Sequence, residues 1–359
     1  YNRNYVFLEG LKKSEVKIYK FNFNDYGYGN RSILGPFIKH FKELLSIEVD
    51  IIIYFSLGQE IFTFLIAKFL SWIKNKKLIN DIFISKLLTF YHDRKLKLTR
   101  KIKFIPKTFY KFYYYFLDFI ECKFSDYLIL DTLSHIKFFH DKYNIPTNKF
   151  RLLYVGCRKN IFYPLELEKG RKTIKIGYWG SFIPLHGVKY IIKAAKLLEN
   201  DKKIKFILFG KGQTLKNNKA LVKKLGLTNL QLIEGYYKSS ELYKLRDLIA
   251  EFDIGLGIFG TSEKTNLVIP NKVFEGIAMK LPMISAKSSA IEEVFIDSAN
   301  IVLCKAGDPQ SLANSIKTLA YDDDLKKKIK NNAYNLYKQR FTVEKLAKKL
   351  KLILFDIIG

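Results

Sequence analysis

The sequence predicts an α/β protein built on two parallel sheets, each with helices on both faces, and a cleft between the two halves. Three observations carry that expectation. The chain has 359 residues, too many for one ordinary core but suited to two domains of about 150 to 200 residues. Short strand-like runs alternate with amphipathic segments of helical period, the pattern of parallel strands joined by helical crossovers. Two glycine-bearing loops, 180–187 and 210–212, each follow a predicted strand and precede a predicted helix.

In the first half, strands are expected at 16–19, 51–55 and 127–130. The most apolar stretch, 51–73, carries Gln59, Glu60 and Lys68 and is interrupted by Gly58, so it reads as a buried strand followed by a helix rather than a membrane span. Tyr163, Pro164 and a charged run at 162–169 mark a boundary. Beyond it a strand is expected at 173–178, and Val188, Ile191, Ile192, Ala195 and Leu198 recur at helical spacing. A strand at 204–209, a helix stopping at Gly226, a strand near 230–233 and a helix over 242–252 follow. Then come a strand at 254–258, a helix over 271–280 and a strand at 283–285, with Ser289 and Glu292 at capping-box spacing. No solenoid repeat is visible. The expected units are 1–165, 166–339 and a C-terminal helix, 340–359, that packs back on the first.

Nearly half of the chain is apolar, 48%, which excludes a disordered polymer. Cys122, Cys157 and Cys304 lie far apart without a CxxC pair, so they read as free thiols in a reducing cytosol, and no metal site is implied. The net charge of +28 is spread along the chain: residues 1–165 hold 28 Lys/Arg against 14 Asp/Glu. A diffuse basic surface suits an anionic membrane or phosphate-bearing substrates, and a lysine-rich proteome would produce it too; nucleic acid is the weaker reading. No secretory signal is visible, and the sequence opens at Tyr1 rather than Met, which suggests trimming. Segment 104–124 mixes Lys107 and Lys111 with Phe109, Tyr110, Phe112, Tyr113, Tyr114, Tyr115 and Phe116. That composition fits a membrane interface, although aromatic runs are more often core.

The candidate chemistry gathers in 177–284. A helix N-terminus offers free N–H groups and partial positive charge to a diphosphate, and Gly180, Gly187, Gly210 and Gly212 let the backbone approach it. Lys264 and Lys272 can supply point charges to phosphate oxygens. The Pro270-Asn271 step can open a helix, with Glu275 one turn inside it, where a carboxylate can accept hydrogen bonds from both hydroxyls of a ribose.

These residues resemble the retaining glycosyltransferases of family 4, which have the GT-B fold of two facing Rossmann-like domains. Tyr154-Val155-Gly156 with Phe162-Tyr163-Pro164 looks like the segment leading into the family's second domain. Residues 176–198 look like its first glycine loop and helix, and Phe209-Gly210-Lys211-Gly212 like its second loop. Glu275, Ala278 and Pro282 match its Glu, Ala and Pro signature. Arg3-Asn4, Asp81 with Ser85, His92-Asp93-Arg94-Lys95, Ser125-Asp126 and Leu130-Asp131-Thr132 look like a subgroup's first-domain side of the cleft. The resemblance implies Asp81, Asp93 and Arg94 as acceptor or donor-sugar contacts, with Ser85 beside them. Two departures stand out. The family's earlier glutamate is Leu267 here, and the Arg and Lys of its first glycine loop are Ser181 and His186. The N-terminal glycine loop of such enzymes would precede Tyr1.

The expected activity is a hexosyltransferase reaction with retention, from a nucleotide diphosphate sugar to a saccharide or lipid-linked acceptor, as in surface polysaccharide, glycan or glycolipid synthesis. No cofactor is implied. The expected location is cytoplasmic, peripheral on the inner face of the cell membrane. A nucleotide-sugar epimerase, or a nucleic-acid-binding or scaffold protein on this fold, are the competing readings.

Overall fold

The structure is a computed structural model that describes residues 2–12, 16–20, 41–56, 61–95, 106–166 and 173–359. Gly58, Gln59, Glu60, the start of segment 104–124 and the end of the 162–169 boundary lie outside the described residues. Two all-parallel sheets organise the chain. The first has four strands in sequential order: β1 (Ile51–Ser56), β2 (Lys77–Ile82), β3 (Tyr127–Leu130) and β4 (Phe150–Leu152). Right-handed crossovers between neighbouring parallel strands advance one way across this sheet, so the connecting helices share one face. They are α2 (Phe62–Ile73), α3 (Lys107–Phe124) and α4 (Leu133–Tyr143).

The opposite face is covered by the two ends of the chain. Helix α1 (Asn2–Lys12) sets Phe7 edge-on against Phe55 at 5.5 Å. The C-terminal helix, Val343–Ile358, packs on α1 so closely that a Cβ at Gly10 would lie 2.6 Å from that of Ala347. Arg151 of β4 clasps Asp356 of the same helix at 2.8 Å. The expected strand at 16–19 does not form: residues 16–20 join neither ladder, and Val16 is exposed. Strand propensity without a partner for the backbone hydrogen bonds gives only extended chain.

The second sheet contains β5 (Ile174–Trp179), β6 (Ile204–Gly210), β7 (Leu230–Glu234), β8 (Ile254–Leu256), β9 (Met283–Ala286) and β10 (Val302–Cys304). Their spatial order is β10-β9-β8-β5-β6-β7. Counted from β5 that order is the doubly wound one, and its direction reverses between β5 and β8. In doubly wound sheets ligands bind beside such a reversal, outside the C-terminal ends of the strands. Gly226 ends helix Leu215–Leu225 in the left-handed region, φ 59°, as its position after the last apolar residue predicts. One cap differs: Ser288, not Ser289, accepts from Ile291 N and opens helix Ser289–Glu292.

Candidate functional site

Three loops meet at the reversal point, and glycines make their contact possible. A Cβ at Gly210 would lie 2.0 Å from the Gly180 carbonyl, and one at Gly187 would lie 2.5 Å from Gly260 N. Gly187 and Gly212 also have φ of +64° and +151°, where other residues are strained. Phe182 ties the first two loops together: its N–H donates to Lys211 O at 2.9 Å, and its carbonyl accepts from Thr214 N at 2.8 Å. Gly180 N donates to Phe209 O at 3.0 Å.

Helix Asn271–Ala278 begins beside this junction, after Pro270, and buries Lys272 and Glu275. Glu275 accepts a hydrogen bond from the Trp179 indole N–H at 2.7 Å. Lys272 is only 4% exposed, its Nζ sits 3.7 Å above the Tyr178 ring centroid, and that nitrogen has no hydrogen-bond acceptor among the described residues. A Cβ at Gly180 would lie 3.5 Å from the same ammonium. Burial pushes the Lys272 pKa well down, against the pull of Glu275. Asn271 is the first residue of this helix and half-buried.

His186 closes the first loop. Its Nδ1 lies beside the Ser181 carbonyl and 2.8 Å from the Tyr178 hydroxyl, which itself donates to Ser181 O at 2.9 Å. A carbonyl can only accept, so the ring proton belongs on Nδ1 and Nε2 carries the lone pair. Burial first, and Lys272 second, hold the His186 pKa well below the ordinary value. Ser181 contributes its backbone; its side chain is exposed.

The first sheet's half reaches the site through a π-helical segment, Leu87–Asp93. Lys264, 6% exposed, donates to Thr89 Oγ1 at 2.7 Å across the two halves. Burial lowers its pKa to about 8, and Asp93 opposes that shift. Asp93 is buried, with burial raising its pKa and Lys264 and Arg94 lowering it. Neither Asp93 carboxylate oxygen completes a well-aligned hydrogen bond, although the Leu185 backbone and Ser262 hydroxyl stand close. Arg94 accepts at its carbonyl from Gln213 Nε2, 2.8 Å away, next to the second glycine loop. Further contacts between the halves run from Thr132 Oγ1 to Leu267 O, 2.5 Å, and from Leu133 and Ser134 N–H groups to Glu293, 2.7 and 2.6 Å.

The structure thus brings Lys264, Lys272, Glu275, Asp93, Arg94, His186 and the four loop glycines to one junction. It occupies Asp81 elsewhere: Arg3 grips that carboxylate at 2.6 to 3.0 Å and sends Nη1 to Leu153 O. Ser85 donates to Asp118 at 2.7 Å and accepts from Leu88 N, which places it at the root of the π-helical segment. Leu267 is buried, and its backbone carbonyl rather than its side chain meets Thr132. Thr89, Trp179 and Tyr178 were not singled out by the sequence. A tryptophan at a strand's end beside a glycine loop was the available signal, because a buried indole N–H requires an acceptor.

Comparison with known proteins bears on the fold. Residues 162–336 match the family model of glycosyl transferases group 1. Two uncharacterized glycosyltransferases of Methanocaldococcus jannaschii are each 25% identical. One aligns over 273 residues, 74% of this chain and 67% of the relative; the other over 198 residues, 54% of this chain and 47% of the relative. Among solved structures, Anabaena HepE in complex with UDP-glucose superposes with a TM-score of 0.69 at 16% identity, covering 96% of this chain and 88% of that one. Sucrose-phosphate synthase of Thermosynechococcus elongatus gives 0.68 at 13%, covering 90% and 77%. The chain has the two-sheet GT-B fold of these solved structures, and residues 162–336 match the glycosyl transferases group 1 model.

Proposed function

We propose that the protein transfers a hexose, with retention, from a nucleotide diphosphate sugar to a saccharide or lipid-linked acceptor in polysaccharide, glycan or glycolipid synthesis. The observation that carries this reading is the Lys272 ammonium, buried against Gly180 with no hydrogen-bond acceptor among the described residues. Burying an ammonium without an acceptor is unfavourable by several kcal/mol, so its retention at a glycine loop points to an anionic ligand. In this reading Lys264, Lys272 and the N–H groups of the 180–187 and 210–212 loops hold the diphosphate, and Glu275 accepts from the ribose hydroxyls. Asp93 and Arg94 contact the sugar or the acceptor, and Asp81 acts through Arg3. That HepE is described bound to UDP-glucose supports a nucleotide sugar as donor.

As the glycosidic bond to phosphate breaks, negative charge grows on the diphosphate and positive character on the sugar ring. Fixed ammoniums and N–H dipoles stabilise that charge, so the reading asks for no metal ion. The acceptor oxygen bonds to the anomeric carbon on the face the phosphate leaves, and the acceptor proton passes to the departing phosphate oxygen. A thermal-shift panel of uridine and guanosine diphosphate sugars tests the donor, and product analysis with and without acceptor separates transfer from epimerisation. No shift with any diphosphate sugar would overturn the reading.

A further inference from the structure

Helices α2 and α3 carry apolar side chains that the described residues leave exposed. On α2, Leu65, Phe69 and Trp72 are 49%, 46% and 74% exposed; on α3, Phe109, Phe112 and Phe116 are 50%, 64% and 45% exposed. Each set recurs at three- and four-residue spacing, so each forms one stripe along its helix. The two helices connect β1 to β2 and β2 to β3, and therefore lie side by side on the same face of the first sheet. The inward stripes are already satisfied: Phe64 and Leu70 of α2, and Tyr110, Tyr114 and Leu117 of α3, are buried. Phe69 stacks on Phe41 at 5.9 Å, and among the described residues the other outward side chains are surplus to the core. Exposed apolar surface of this kind marks a docking site rather than a packing need.

Charge selects the occupant. The acidic residues of the two helices, Asp118 and Glu121, are buried and engaged inward, Glu121 by Lys86 at 2.5 Å and Asp118 by Ser85. The charges they turn outward are basic, with Lys107 and Lys111 exposed beside the α3 stripe and Lys76 and Lys77 beyond the end of α2. Asp126, just past α3, is held by Leu78 N and lies 3.8 Å from Lys68. Among the described residues no helix is long and apolar enough to cross a membrane. Aromatic rings at headgroup depth rimmed by lysines are the chemistry of a surface-bound segment on anionic lipid.

We infer that the α2–α3 face seats on an anionic lipid bilayer, with Trp72 and Phe112 inserted and the lysines over the headgroups. This deepens the proposed function, which it needs only for a lipid-linked acceptor. The test is flotation of the full chain with phosphatidylglycerol–phosphatidylcholine vesicles and with phosphatidylcholine alone. Each lysine near an anionic surface strengthens binding about fivefold, so the anionic vesicles should retain at least about tenfold more protein. The W72E/F112E variant should lose at least about tenfold of that binding, and K107E/K111E should lose the preference for anionic lipid. Thermal shift by UDP-sugars, measured without vesicles, should stay unchanged in both variants. Equal flotation of wild type and W72E/F112E, or a wild-type dimer that the variant dissociates with no vesicle binding by either, overturns the inference. Intact flotation without any nucleotide response would refute the transferase reading alone.

Discussion

Replacing Lys272 by methionine should raise stability and abolish tight donor binding at the same time. The side chain is 4% exposed and its ammonium has no hydrogen-bond acceptor among the described residues. Desolvating an ammonium is unfavourable by several kcal/mol, and the contact with the Tyr178 ring, 3.7 Å away, returns about 2 kcal/mol. Methionine keeps the stem's volume and removes the charge, so the ligand-free protein should gain about 1 to 3 kcal/mol. For a domain of this size that is a rise in Tm of roughly 2 to 12 °C. The donor diphosphate loses a charge-assisted hydrogen bond of about 2 to 3 kcal/mol, or roughly 30- to 150-fold in affinity. Differential scanning calorimetry without ligand and isothermal titration with the preferred diphosphate sugar read the two effects separately. A lower Tm with unchanged affinity would mean that Lys272 is a packing residue, and the anion-site reasoning would fail.

Donor affinity should also fall as pH rises through about 8, where burial places the Lys264 ammonium. The bound diphosphate favours the protonated lysine, so the complex holds a proton that the free protein releases above that pH, and affinity drops up to about tenfold per unit. Titration with a diphosphate sugar, whose phosphates stay ionised throughout, checks this; a flat profile from about pH 7 to 9 would remove Lys264 from the site. Asp81→Ala should destabilise the fold by about 3 to 5 kcal/mol in urea melts by stranding the Arg3 guanidinium, whereas an Asp81 that served only the substrate would leave the melt unchanged. Glu293→Ala should remove the acceptor of the Leu133 and Ser134 N–H groups, a cap of about 1 to 2 kcal/mol. Hydrogen exchange at those two amides should then speed by roughly 5- to 30-fold, and unaltered protection would show that Glu293 does not hold the halves together there.

Five of the six strands of the second sheet were legible because their signals are local, whereas β10 was not expected. Gly226 stops a helix, Pro270 starts one, and the strands at 173–178, 204–209 and 283–285 appear within a residue or two of their predicted places. The glycine loops were legible for the same reason, since close backbone approach leaves only glycine at Gly187 and Gly210. The first half depends on distant partners. Arg3 meets Asp81 across 78 positions, Lys264 meets Thr89 across 175, and Trp179 meets Glu275 across 96, and no periodicity announces such pairs. Segment 16–19 has the composition of a strand but found no ladder. In the described part of segment 104–124, Tyr110 and Tyr114 are buried while Phe109, Phe112 and Phe116 are exposed.

The π-helical segment explains how one half of the molecule can serve a site built by the other. Its start is fixed by Asp118, whose carboxylate accepts from Ser85 Oγ, Lys86 N, Leu87 N and the Tyr143 hydroxyl at 2.7 to 3.1 Å. A π-turn is wider than an α-turn and re-aims the side chains that follow it, which is why such turns gather at functional sites. Here it delivers Thr89 to Lys264 and sets Asp93 and Arg94 against the glycine loops. An ammonium carries three protons, and Thr89 takes only one of those on Lys264. In the proposed reading the other two meet the diphosphate. Contact between the halves and capture of an anion therefore use the same nitrogen without competing for it. A ligand that holds Lys264 in place also holds its bond to Thr89, so donor binding should strengthen the contact between the two halves.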